Sequence, residues 1–201
     1  MCYQNQRYAD RFIDAVRSVE AEESAALGRQ STELAAVVAQ NLYKLMAYKD
    51  EYEVARLALD PEFESFVRSS FGDRSQRRIM LHPPALRAMG LKKKLALGTW
   101  ANPAMWALRH LKVLRGTPFD VFGIGEVRRT ERALPDEYLR LVRRALVTLD
   151  DETLPVAVAL AGLPDMVRGY ESIKMKNVDR FRARASEMID QLENRPAQLA
   201  G

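Results

Sequence analysis

Cysteine is almost absent from this chain: Cys2 is the only one. A disulfide framework is therefore excluded. So is an iron–sulfur cluster held by this chain alone, because such clusters need several thiolates. Histidine is nearly as scarce. His82 and His110 have no spacing that suggests a metal site and no cysteine partners. Long hydrophobic runs are missing too. No stretch reaches eighteen apolar residues, and a bilayer-spanning helix needs about 20. The first residues, Met1 to Arg7, lack the apolar segment of a secretory signal. These absences together predict a cytoplasmic protein with no membrane span.

Acidic residues are lacking in one region only. From Arg74 to Phe119 there is no Asp or Glu. That span holds Arg74, Arg77, Arg78, Arg87, Lys92, Lys93, Lys94, Arg109, Lys112 and Arg115. The whole chain carries only +4 with a pI near 9.3, so the excess is local. Such asymmetry raises the local potential and favours an acidic partner. A solvated basic face is the plainer alternative. Nucleic acid fits less well. No helix-turn-helix or finger pattern is present, and only Trp100 and Trp106 interleave with the cations.

Catalytic patterns are also missing. Gly123-Ile124-Gly125 is a lone GxG without a third glycine or a Lys-Ser/Thr pair, so it reads as a loop or helix start. Cys2 has no obvious activating base. Asp150-Asp151-Glu152 stands just before a helix start, where capping and the helix dipole explain it. No catalytic residue and no metal site is assigned.

What the sequence does contain is helical periodicity. Tyr8, Phe12, Val16 and Val19 predict a helix over about 5–27, closed by Gly28. Ser31 is the expected N-cap of a second helix, and 40–57 reads as one continuous amphipathic helix. Asp60-Pro61 opens a short helix with Phe63, Phe66 and Val67 inward. Residues 77–82 and 94–98 form a small β-hairpin-like element. Asn102-Pro103 opens a helix whose face carries Met105, Trp106, Leu108, Leu111 and Leu114. From Glu126 a long pattern puts Leu134, Tyr138, Val142, Ala145 and Leu146 on one face, with Pro135 kinking or restarting it. Thr153 and Pro155 mark the next helix, which ends at Gly162. Leu163-Pro164 begins a short turn, and the last helix spans about 170–192 with Val178, Phe181, Ala185, Met188 and Leu192 inward. The expectation is a mainly α, multi-helix fold. Residues 1–30 are an N-terminal helix, 31–193 the main helical domain and 194–201 a flexible tail, all in a single globular domain.

Two polar sets stand out. Asn41, Lys44, Tyr48 and Tyr52 recur at helical spacing and share one face beside the apolar stripe. Their alternative is a half-buried rim with polar tips in water. Arg168, Gly169 and Tyr170 precede Lys174 and Asn177, so a glycine break feeds a helix start with cations nearby. That suits an anion, and equally an ordinary helix junction.

Five segments occur in order: NLYKLMAYKDEYEVARL (41–57), HPP (82–84), LKVLRGTPFDVFG (111–123), RRTERALPDEYLRLV (128–142) and VRGYESIKMKN (167–177). Together they resemble the C-terminal helical region of the fused indolepyruvate:ferredoxin oxidoreductases, over about 32–192. The resemblance implies oxidative decarboxylation of an aryl 2-oxoacid by the parent enzyme. That enzyme uses thiamine diphosphate with Mg, iron–sulfur clusters, coenzyme A and ferredoxin. No cysteine series and no GDG…N pattern occurs here, so the segment itself is expected to be non-catalytic. Its expected partners are the remainder of the parent oxidoreductase, ferredoxin and a further copy of the chain. The rival reading is a freestanding helical binding module with a basic surface.

Overall fold

The computed structural model describes residues 3–72, 78–81, 95–120, 122–123 and 125–194. Among these the chain is mainly α. In chain order the elements are α1 (Gln6–Leu27), α2 (Glu33–Met46), α3 (Glu51–Ala58), α4 (Pro61–Phe71), β1 (Ile79–Leu81), β2 (Leu95–Leu97), α5 (Asn102–His110), α6 (Glu126–Val147), α7 (Leu154–Gly162) and α8 (Glu171–Glu193). Short 3-10 turns cover Thr99–Ala101, Leu111–Leu114 and Leu163–Met166. The chain divides into two compact units, Met1–Tyr48 with Thr130–Gly201, and Lys49–Arg129. The N-terminal helix α1 packs along α2 inside the first unit.

In the first unit, α1 begins where the Asn5 side chain accepts the Tyr8 amide at 2.9 Å. It ends at Gly28, whose φ of 60° is the left-handed conformation that glycine adopts without a Cβ clash. The start of α2 departs from expectation. Ser31 is not its cap, and Thr32, which holds the N-cap position, makes no side-chain capping bond. Glu23 of α1 caps it instead. Its carboxylate accepts the amides of Leu34 at 3.0 Å and Ala35 at 2.9 Å, and the Ser31 hydroxyl at 2.6 Å. The first amides of a helix lack partners and form its positive end, so a buried carboxylate satisfies both needs.

One apolar core fills this unit. It joins Leu34, Val38, Leu42 and Leu45 of α2 with Leu134, Tyr138, Val142 and Leu146 of α6. Leu154, Ala157 and Leu160 of α7 and Val178, Phe181, Ala185 and Ile189 of α8 complete it. The Tyr138 hydroxyl is buried yet satisfied, donating to the Ala161 carbonyl at 2.8 Å. Burial pushes that phenol well above its ordinary pKa, so it is a permanent donor. α6 continues as helix through Pro135 rather than restarting there. Asp150 staples the turn before α7, accepting the amides of Thr153 at 2.7 Å and Glu152 at 2.9 Å.

The expected continuous helix over 40–57 is two helices. α2 stops at Met46, and Asp50 caps α3 by accepting the Glu53 amide at 2.9 Å. In the second unit α3 packs against α5. A polar network holds this packing. Arg115 Nε and Nη2 donate to the two Asp50 carboxylate oxygens at 2.6 and 2.8 Å. The Tyr52 hydroxyl donates to Asp120 at 3.1 Å, and Asp120 also accepts the amides of Gly116 and Phe122. The Arg115 guanidinium lies over the Tyr52 ring, 5.7 Å from its centre.

α4 corrects another expectation. Asp60 caps it, but none of its residues is buried, and Phe63 and Phe66 are 45% and 60% exposed instead of inward. On α5 Met105 points inward as expected, whereas Trp106, and Leu111 in the 3-10 turn that follows, are exposed. β1 and β2 pair antiparallel, with Met80 opposite Ala96. The ends of the expected hairpin, Arg77, His82 and Lys94, lie outside the described residues, as does the tail from 195.

Candidate functional site

The first unit contains a cleft of about 130 Å³. Four elements build it. The last turn of α2 brings Lys44 and Leu45, with Tyr48 following. α6 brings Glu131 and Leu134. The turn after α7 brings Pro164, Asp165, Val167 and Arg168, and the first turn of α8 brings Lys174.

The charged residues interlock. Asp165 accepts from Lys44 Nζ at 2.6 Å and from Arg168 Nη2 at 2.6 Å, and its own carbonyl accepts Arg168 Nε at 2.8 Å. These two cations, Arg168 first, hold the Asp165 carboxyl down to about 2, so it is ionised throughout the physiological range. Asn177 donates to the Arg168 carbonyl at 2.8 Å and fixes the chain where Gly169 turns with a φ of 101°. A Cβ at Gly169 would meet the Ile173 side chain at 2.7 Å, so glycine is required on both counts. Deeper in, Lys174 pairs with Glu131, their side chains 18% and 7% exposed. The Tyr48 hydroxyl accepts Arg132 Nε at 3.1 Å, and the Tyr48 carbonyl accepts the Tyr3 hydroxyl at 2.8 Å. Leu45, Leu134, Pro164 and Val167 supply apolar wall. A concave, partly apolar pocket with a few converging charges is the usual form of a small-ligand site.

Two polar sets that lie far apart in sequence therefore meet: Lys44 and Tyr48 from one, Arg168 and Lys174 from the other. The remaining members do not line the cleft. Asn41 is buried within α2 and donates to the Val37 carbonyl at 3.0 Å. Tyr52 falls after the helix break, in the second unit, so the expected single face is corrected: Asn41 and Lys44 stay on α2, and Tyr48 follows its end. Tyr170 is exposed to solvent, and Gly169 and Asn177 shape the backbone beside the cleft. The carboxylates Asp165 and Glu131 were not singled out from sequence. A signal existed for Glu131, which shares a helical face with Leu134 and Tyr138. An acid on an apolar stripe needs a partner.

The residues of the expected basic surface are placed as follows. Arg78 is exposed, and Arg109 and Lys112 are half-buried. Arg115 is corrected: its side chain is 5% exposed and bound to Asp50, so it holds the fold together and presents no charge to a partner. Arg74, Arg77, Lys92, Lys93 and Lys94 lie outside the described residues. Around α5 the exposed residues Pro103, Trp106, His110 and Val113 fall at helical spacing, forming one outward stripe beside Arg109 and Lys112. The Trp106 and His110 rings touch in a tilted arrangement with centres 4.3 Å apart. Among the described residues no three His, Cys, Asp or Glu side chains gather as a metal site requires. No helix described is long and apolar enough to cross a membrane.

Neither a curated protein nor a solved structure matches this chain. One family does match, over residues 1–187. The residues that line the cleft and those of the outward stripe all fall within that span, and the chain belongs to this family of unknown function, DUF6537.

Proposed function

We propose that the chain is an accessory helical domain of a fused 2-oxoacid:ferredoxin oxidoreductase of the indolepyruvate type, itself non-catalytic, that docks other domains or proteins. The reading starts from the five ordered segments. One observation carries it further. Apart from Pro164 and Asp165, every residue lining the cleft comes from segments 41–57, 128–142 or 167–177. Strings that carry the resemblance thus also share a place in the fold, which is what a functional constraint on them requires. On this reading thiamine diphosphate, Mg, the iron–sulfur clusters and coenzyme A belong to the rest of the parent enzyme, in the cytoplasm. The docking face is the outer stripe of α5, which lies within the acid-free span of the sequence. Its charge complements an acidic protein face, and ferredoxins are acidic.

The test is purification of the native polypeptide that contains this chain, followed by assay of coenzyme A-dependent ferredoxin reduction with indolepyruvate and other aryl 2-oxoacids. The expected result is reduction by a polypeptide well above 22.8 kDa. Absence of that activity, alone and in any complex purified with it, overturns the reading. Within an active enzyme, replacing Lys92, Lys93 and Lys94 by Glu is expected to slow ferredoxin reduction steeply at low salt and little at high salt. An unchanged rate at low salt removes ferredoxin as the docking partner.

Exposed Trp106 beside Arg109 and Lys112 favours a second reading, a freestanding binding module for a polyanion such as nucleic acid. Retention on heparin without retention on immobilised ferredoxin, each across a salt gradient, would select it.

A further inference from the structure

The cleft in the first unit has a property that packing alone does not explain. Three cations from three elements face it, and among the described residues lining it two carboxylates answer them. Lys44 and Arg168 share Asp165, and Lys174 takes Glu131. An ammonium carries three donors and a guanidinium five. Lys44 uses one donor on Asp165 and Lys174 one on Glu131, while Arg168 uses its Nε and one terminal N–H. Each side chain therefore keeps N–H donors beyond its carboxylate, around a space that already has one positive charge in excess. Asn177 and Asp165 pin Arg168 at its backbone and head, so its guanidinium is held before anything binds.

The other walls limit what fits. Leu45, Leu134, Pro164 and Val167 are apolar. A volume of about 130 Å³ is close to that of a cavity that accepts benzene, roughly 150 Å³. We infer that the cleft binds a small organic oxyanion whose head bridges the donors of Lys44, Arg168 and Lys174 and whose short apolar body lies against Leu45, Leu134 and Val167. This inference does not depend on the oxidoreductase reading, because binding to the chain is measured without any turnover.

The test is calorimetric titration of the 201-residue chain with 3-methylbutanoate, inorganic phosphate and 3-methylbutan-1-ol, at 20 and 500 mM NaCl. The expected result is saturable binding of 3-methylbutanoate, tighter than phosphate, weakened by salt, with no binding of the alcohol. Lys44→Gln and Arg168→Gln change exposed side chains, so both variants retain the native circular dichroism spectrum while affinity falls at least tenfold in each. Lys174→Gln is the harsher variant, since it removes a largely buried ion pair with Glu131, and the other two carry the test if it unfolds. Four results would each overturn the inference: no saturable binding of the carboxylate, phosphate binding as tightly, the alcohol binding equally, or unchanged affinity in folded Lys44→Gln and Arg168→Gln.

Discussion

Single residues in this protein act by supplying charge where the backbone lacks partners. Glu23 is the clearest case, since one side chain satisfies two amides of another helix and a hydroxyl. Glu23→Ala is expected to lower stability by about 1.5–3 kcal/mol, the range for hydrogen bonds to a charged group. Chemical denaturation should show a lower midpoint with an unchanged m-value, and a loss below about 0.5 kcal/mol would show that water replaces the cap. Asp165 makes a pH prediction. Its folded pKa, about 2, is depressed from an unfolded value of about 3.9. The stability it adds is complete above about pH 4 and is lost as pH falls through about 2. An NMR titration of its carboxyl carbon should give a midpoint near the lower value. A midpoint near 4 would mean that Lys44 and Arg168 do not hold it in solution.

At the scale of elements, the helices were largely legible and their partners were not. α7 and α8 begin and end within a residue or two of expectation, because Pro155, Gly162 and a strong apolar period mark them. The break between α2 and α3 was missed. Asp50 followed by Glu53 is a capping pattern, but it lies inside an apolar period that continues through Tyr52. Periodicity reports which residues want burial, not whether one cylinder buries them all. α4 shows the converse, with apolar residues at helical spacing and no buried residue among them. The buried Arg115–Asp50 pair ties the 3-10 turn after α5 to the start of α3. Asp50→Ala removes both the α3 cap and that partner, and is expected to cost about 3–5 kcal/mol, measured by thermal and chemical denaturation. A cost below about 1 kcal/mol would mean that water replaces Asp50 at the Arg115 guanidinium.

For the whole molecule, the two units differ in what holds them. The first has the continuous apolar core. In the second, the buried apolar residues described are Tyr52, Ala55, Ala58, Ala101 and Met105, so much of its order rests on the Asp50–Arg115 and Tyr52–Asp120 network. Small side chains bury little area, and opening free energy follows buried area. Native-state hydrogen exchange should show amides of α3 and α5 exchanging through a smaller opening than those of α7 and α8. Equal protection in both sets would mean that the units open as one.

The sequence by itself determined the helical class, the limits of most helices, the absence of a helical membrane span and the excess of positive charge in one span. Each of these is a property of neighbours along the chain, where capping residues, spacing and composition act directly. Only the tertiary structure decided that Lys44, Glu131, Asp165, Arg168 and Lys174 surround one cleft and that Arg115 is a buried tie. It also decided that Glu23 caps a helix to which it does not belong. Those facts depend on which helices meet, and a charge shows its partner only after the apolar core has brought distant segments together.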